Sequence, residues 1–241
     1  MNNDGEIRVK RNCWLGVAGC DELLVGQYVV PNFVSNSVAL DVGKGCWVLY
    51  SPGESLLKDW SERFGDAVSE INIIIPNHYH YLGVDAWLEA YPSARVYASD
   101  KAIPRLIEKG IPSVLSLESS PPVLPLGYQV KVPEGHRGGD VWLCKTGEQN
   151  VWITCDSFLN YERLSNQLVA RAMQRLLGAA PGLKMSDVVK WLILDDRPGF
   201  KRWALKQLGV CPPEILIPSH GEVLHASQLR GQIEALLAAR L

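Results

Sequence analysis

The run Ile71-Asn72-Ile73-Ile74-Ile75 constrains the fold most. It reads as a strand that is apolar on both faces. Such strands lie inside sheets covered on both sides, most often parallel sheets with helical crossovers. Pro76-Asn77 ends the run. A strand–helix rhythm follows: helical patterns at residues 85–91 and 100–108 flank a strand at 94–98. Upstream, residues 27–31, 35–42 and 46–50 are short runs rich in Val and aromatics. Gly43-Lys44-Gly45 punctuates a hairpin between the last two, and Ser51-Pro52-Gly53-Glu54-Ser55 breaks the strand and opens a helix at 56–64. Further strands are expected at 128–132, 140–145 and 151–154, then a mainly helical insertion over about 160–208, broken at Pro181-Gly182 and Pro198-Gly199. A strand at 215–217 and an amphipathic helix at 227–241 close the chain. Two β-rich halves with interspersed helices predict an α/β architecture of sheets packed face to face with helices outside. With 241 residues and no linker, one domain over 1–241 is expected.

Composition narrows the partners. Hydrophobic residues make up 47% and charged residues 21%, with a formal net charge of −2, the profile of an ordinary soluble protein. That balance gives no electrostatic basis for nucleic acid or an anionic membrane as partner. Arg8, Lys10 and Arg11 form only a short cluster, read as a solvated turn. No stretch approaches the roughly 20 apolar residues of a membrane span, and the polar start lacks the apolar core of a signal peptide. Cys13, Cys20, Cys46, Cys144, Cys155 and Cys211 are scattered without a Cys-x-x-Cys pair. They read as small buried hydrophobes in a reducing compartment, so a cytoplasmic location is expected.

The histidines carry the chemistry. His78 and His80 follow the isoleucine run, His136 sits in Glu134-Gly135-His136-Arg137-Gly138-Gly139, and His220 in Pro218-Ser219-His220-Gly221. All four follow predicted strand ends, where ligand sites collect in layered α/β folds. In an extended segment, side chains at i and i+2 share a side, so His78 and His80 could present two imidazoles to one ion. A third imidazole would leave one position open for water, the arrangement of a catalytic metal. Asp156, after the 151–154 strand, is a loop carboxylate in reach of such a site. Spacing alone leaves the alternative open that these are surface or hydrogen-bonded histidines.

Taken in order, these segments resemble the five motifs of the metallo-β-lactamase superfamily. The opening hairpin resembles the family's first strands, with Ser51 where a turn Asp would stand. His78-Tyr79-His80-Tyr81-Leu82-Gly83 resembles the His-x-His-x-Asp-His signature; His136 matches the third-motif His, Asp156 the bridging Asp, and Pro218-Ser219-His220-Gly221 the last motif. The resemblance implies a four-layer αββα sandwich. It also implies one divalent metal on His78, His80, His136 and Asp156, with zinc expected first and iron or manganese as alternatives. Leu82 and Gly83 replace the signature Asp and His, which implies no tight second site. The expected activity is mononuclear metal-dependent hydrolysis of a small ester, thioester or lactone-like substrate. Asp156 would be the base, with Asp85 and Glu134 as weaker substitutes, and His220 would bond the nucleophile or a substrate oxyanion. The alternatives are a family member that has lost hydrolysis and binds a ligand or partner, and an iron-dependent oxidoreductase. Tyr79 and Tyr81 are expected to point into packing, Trp142 and Trp152 into the core, and Trp191 and Trp203 into core or an oligomer contact. His225 is expected as a cap or surface residue at the last helix. The insertion is the expected lid or homodimer surface.

Overall fold

The computed structural model describes residues 12–30, 33–164, 168–179 and 181–241. The basic trio Arg8, Lys10 and Arg11, Pro31 of an expected strand, and residues 165–167 and 180 of the insertion lie outside the described residues. The chain divides into two compact units, one running to Val130 and the other from Lys131 to Leu241.

In the first unit, β1 (Trp14–Val17), β2 (Cys20–Val30), β3 (Phe33–Gly43) and β4 (Cys46–Tyr50) pair antiparallel in succession. The Gly43-Lys44-Gly45 hairpin forms as expected, but β1 and the first half of β2 were not visible as an alternating pattern. After α1 (Leu57–Phe64), β5 (Glu70–Ile74) pairs parallel with β4. Helix α2 (Val84–Ala90) leads to β6 (Arg95–Ala98), and α3 (Ile103–Glu108) to β7 (Val114–Ser116), both parallel additions. The isoleucine run is covered on both faces: Ile71, Asn72, Ile73, Ile74 and Ile75 are all buried. Helices α1 and α2 bring Trp60 and Trp87 against Trp14, with Trp60 edge-on to each neighbour at 5.6 Å between ring centroids. Tyr81 packs at the edge of this core, whereas Tyr79 is 51% exposed, contrary to the expectation that both point inward.

β8 (Tyr128–Lys131) lies at the sequence boundary. In the second unit, β9 (Trp142–Lys145) pairs antiparallel with β10 (Val151–Ile153), and β10 pairs parallel with β13 (Ile215–Ile217). The insertion is less helical than its composition suggests. It contains β11 (Leu159–Tyr161), α4 (Leu168–Leu176), β12 (Gly182–Lys184), a π-helical turn at Val189–Ile193, and α5 (Arg197–Val210). Pro198-Gly199 does not interrupt a helix but starts one: Asp196 caps α5 by accepting the Gly199 N–H at 2.9 Å, and Pro198 sits in the first turn, where its missing N–H costs nothing. β14 (His220–Gly221) pairs parallel with β11, and β15 (Leu224–His225) antiparallel with β13. His225 is therefore an exposed strand residue, and the last helix, α6 (Leu229–Arg240), begins four residues later. The core of this unit gathers Trp142, Trp152, Phe158, Phe200 and Trp203 beneath Leu229, Ile233 and Leu237 of α6. Trp191 is instead 58% exposed, with the Arg197 guanidinium 4.1 Å from its ring centroid.

Candidate metal centre

The first unit places its histidines on a tight turn rather than an extended segment. Buried Asn77 organises it: its side-chain oxygen accepts the Tyr79 N–H at 2.9 Å, and its carbonyl accepts the His80 N–H at 3.2 Å. His78 is half-buried with its ring against Tyr79, 4.1 Å between centroids. His80 Nδ1 lies 3.0 Å from the hydroxyl of Ser51. Ser51 follows β4, is buried, and has φ of 52°, a left-handed backbone uncommon outside glycine. Its N–H donates to Ile74 O at 3.0 Å and its carbonyl accepts from the Ser37 hydroxyl at 2.6 Å. Both ends of the Ser51 peptide are thus fixed, and the hydroxyl is aimed at His80.

The neighbouring positions are closed. Leu82 is 68% exposed and offers no ligand atom. Gly83 packs so tightly on Pro52 and Gly53 that a Cβ would overlap the Pro52 carbonyl oxygen and crowd Gly53 Cα at 3.1 Å. A histidine at 83 is therefore excluded by backbone, not merely replaced. Asp85 and Glu134, the substitute bases, are exposed.

In the second unit, Asp156 follows β10 and His220 forms β14. Their side chains meet with Asp156 Oδ1 3.2 Å from His220 Nε2, and both are largely shielded. The pairing of His220 with Leu159 in β11 and the Glu222 N–H bond to Asn160 O at 2.6 Å hold this strand end in place. His136 faces Asp140. It is buried at 1% exposure, its Nδ1 accepts the Asp140 N–H at 3.3 Å, and its Nε2 lies 3.6 Å from Asp140 Oδ2, beyond hydrogen-bond length. The insertion clasps this loop. His136 bridges Leu194, the Arg137 N–H donates to Ile193 O at 2.8 Å, and the Asp195 N–H to Gly135 O at 3.0 Å. Gly135, at φ of 68°, leaves room for no Cβ beside the Asp196 carbonyl.

Asp140 is the residue that the sequence did not single out. Its carboxylate is completely buried and accepts from Ser157 Oγ at 2.7 Å and Trp142 Nε1 at 3.3 Å. Burial first, then the Asp156 and Asp140 carboxylates, push the Cys155 thiol well above its ordinary range. A polar residue heading an apolar strand was the only sequence signal for Asp140, and it reads equally as hairpin polarity.

No protein-family model and no curated protein sequence matches the chain. Solved structures do. The metallo-β-lactamase from Hirschia baltica aligns at 14% identity and a TM-score of 0.60, covering 93% of this chain and 96% of that one. The metallo-β-lactamase from Pontibacter korlensis aligns at 12% and 0.61, over 93% and 98%. The metallo-β-lactamase FIM-1 from Pseudomonas aeruginosa, in its mono-zinc form, aligns at 13% and 0.58, over 95% and 97%. The chain has the mixed α/β fold of metallo-β-lactamases. Among the described residues, no helix is long and apolar enough to cross a membrane.

Proposed function

We propose that this protein is a metal-dependent hydrolase of a small ester, thioester or lactone, with Asp156 and His220 among the ligands of one divalent ion. The pair offers an imidazole nitrogen and a carboxylate oxygen, donors that suit zinc or iron(II). The observation that carries the reading is the Asp156–His220 pair at 3.2 Å, two strand-end residues of a metallo-β-lactamase fold. A bound ion supplies Lewis acidity towards water and a carbonyl. The chain's own residues do the rest. The Ser51 hydroxyl, 3.0 Å from His80 Nδ1, fixes that ring. Asp156 accepts a proton from the attacking water, a task left vacant by Leu82. His220 orients the Asp156 carboxylate. His136 stands outside the proposed pair, with both ring nitrogens facing Asp140. The insertion, with Trp191 and Leu192 exposed at 58% and 63%, is the proposed lid or dimer surface.

Elemental analysis of protein purified without added metal or chelator tests this. About one equivalent per chain is expected in wild type and His136→Ala, and none in His220→Ala. Loss in a folded His136→Ala would restore the three-histidine arrangement. No uptake of zinc, iron or manganese by wild type would overturn the hydrolase in favour of a ligand-binding protein, the reading that the sealed Gly83 position favours.

A further inference from the structure

We propose that Asp140 is a positioning residue for the Asp156–His220 pair, acting through Ser157. The inference rests on the reading above only for what the pair holds, not for the pair itself. A carboxylate removed from water is costly unless hydrogen bonds surround it. Asp140 has them: Ser157 Oγ at 2.7 Å and Trp142 Nε1 at 3.3 Å. Trp142 Nε1 also reaches Ser157 Oγ at 3.2 Å, which closes a buried triangle. One of the two donors is the residue that follows Asp156. Tying Ser157 to the buried Asp140 carboxyl fixes the chain beside Asp156 and delivers its side chain to His220. The Asp140 N–H also donates to His136 Nδ1 at 3.3 Å, so one residue ties both loops. Core packing alone does not call for it. In the first unit Trp60 is equally buried, yet its Nε1 has no hydrogen-bond partner among the described residues.

The test uses the full chain. Side-chain ¹⁵N–¹H correlations of His220 report the pair without any ion, and cobalt(II) titration followed by visible absorption reports affinity. Ser157→Ala should shift the His220 resonances and weaken cobalt binding about 10–100-fold, as loss of an outer-shell partner does. Asp140→Asn keeps one acceptor oxygen for Ser157 and should fall between this variant and wild type. A wholly structural role would lower the urea midpoint and leave both readouts at wild-type values; that result overturns the proposal. If Ser157→Ala does not fold, Asp140→Asn decides on the same two readouts. Wild type that takes up no cobalt overturns the metal reading, and the His220 resonances still decide this one.

Discussion

The two units solve the same packing problem with the same residue and differ in what they attach to it. Trp60 sits among Trp14, Trp47, Trp87 and Phe64, and its indole N–H goes unanswered among the described residues. Trp142 sits among Trp152, Phe158, Phe200 and Trp203, and its indole N–H serves Asp140 and Ser157. The first cluster is packing; the second is packing wired to a buried carboxylate. The candidate site follows the same division. In the first unit the signature's second half is an exposed leucine and a glycine sealed by backbone, whereas the second unit keeps its carboxylate and histidine paired.

The strongest way to break that contrast is to force the signature back. Gly83→His must push its Cβ into the Pro52 carbonyl. Overpacking of this kind costs about 3 kcal/mol or more where backbone cannot yield. Urea unfolding should show that loss, and elemental analysis no second ion. A stable variant that gains a second equivalent would mean the position is closed by chance and not by the fold.

The tryptophans sharpen the contrast. Trp60→Phe removes no hydrogen bond, whereas Trp142→Phe strips a donor from two buried acceptors. Ser157 and Asp140 keep their bond to each other, so the loss is that of an ordinary hydrogen bond, and Trp142→Phe should be the less stable by about 1 kcal/mol. Equal unfolding free energies would erase the distinction drawn between the cores.

What the sequence disclosed follows the same line. Apolar runs and strand ends are local signals, and they placed β4, β5, β10 and β13 and the loops that carry His80, Asp156 and His220. The four-motif order after the hairpin made the fold legible although identity to solved relatives is only 12–14%. What stayed hidden depends on partners distant in sequence. β11 and β12 are three residues each and are strands only because they pair with one another and with β14, so their residues read as part of a helix. Tyr79 was assigned to packing from an alternation that the Asn77 turn abolishes. Asp140 acquires meaning only when Ser157, seventeen residues on, folds back to it.

Ser51 gives a smaller effect that separates strain from bonding. At φ of 52° glycine is easier than any residue with a Cβ, by about 1 kcal/mol. Ser51→Gly should therefore be more stable than Ser51→Ala by that amount, while both lose the hydroxyl on His80. Urea midpoints read the first, and the His80 imidazole ¹⁵N shifts the second. A wild-type His80 signature in either variant would show that the hydroxyl does not hold the ring.

The smallest effect tests how dry the second core is. Burial, with Cys211 nearby, raises the Cys144 thiol to about 12. An unfolded cysteine titrates near 8.5 (roughly). The folded pKa is the higher one, so the contribution of Cys144 is fully present below the unfolded pKa. It is lost as pH rises from there towards the folded value, because only the unfolded chain releases the proton. Wild type should thus lose more of its urea midpoint between pH 8 and 10.5 than Cys144→Ala does. Parallel pH profiles would mean that water reaches Cys144, and a core open to water at β9 could not keep the Asp140 triangle next to it as tightly bonded as it is here.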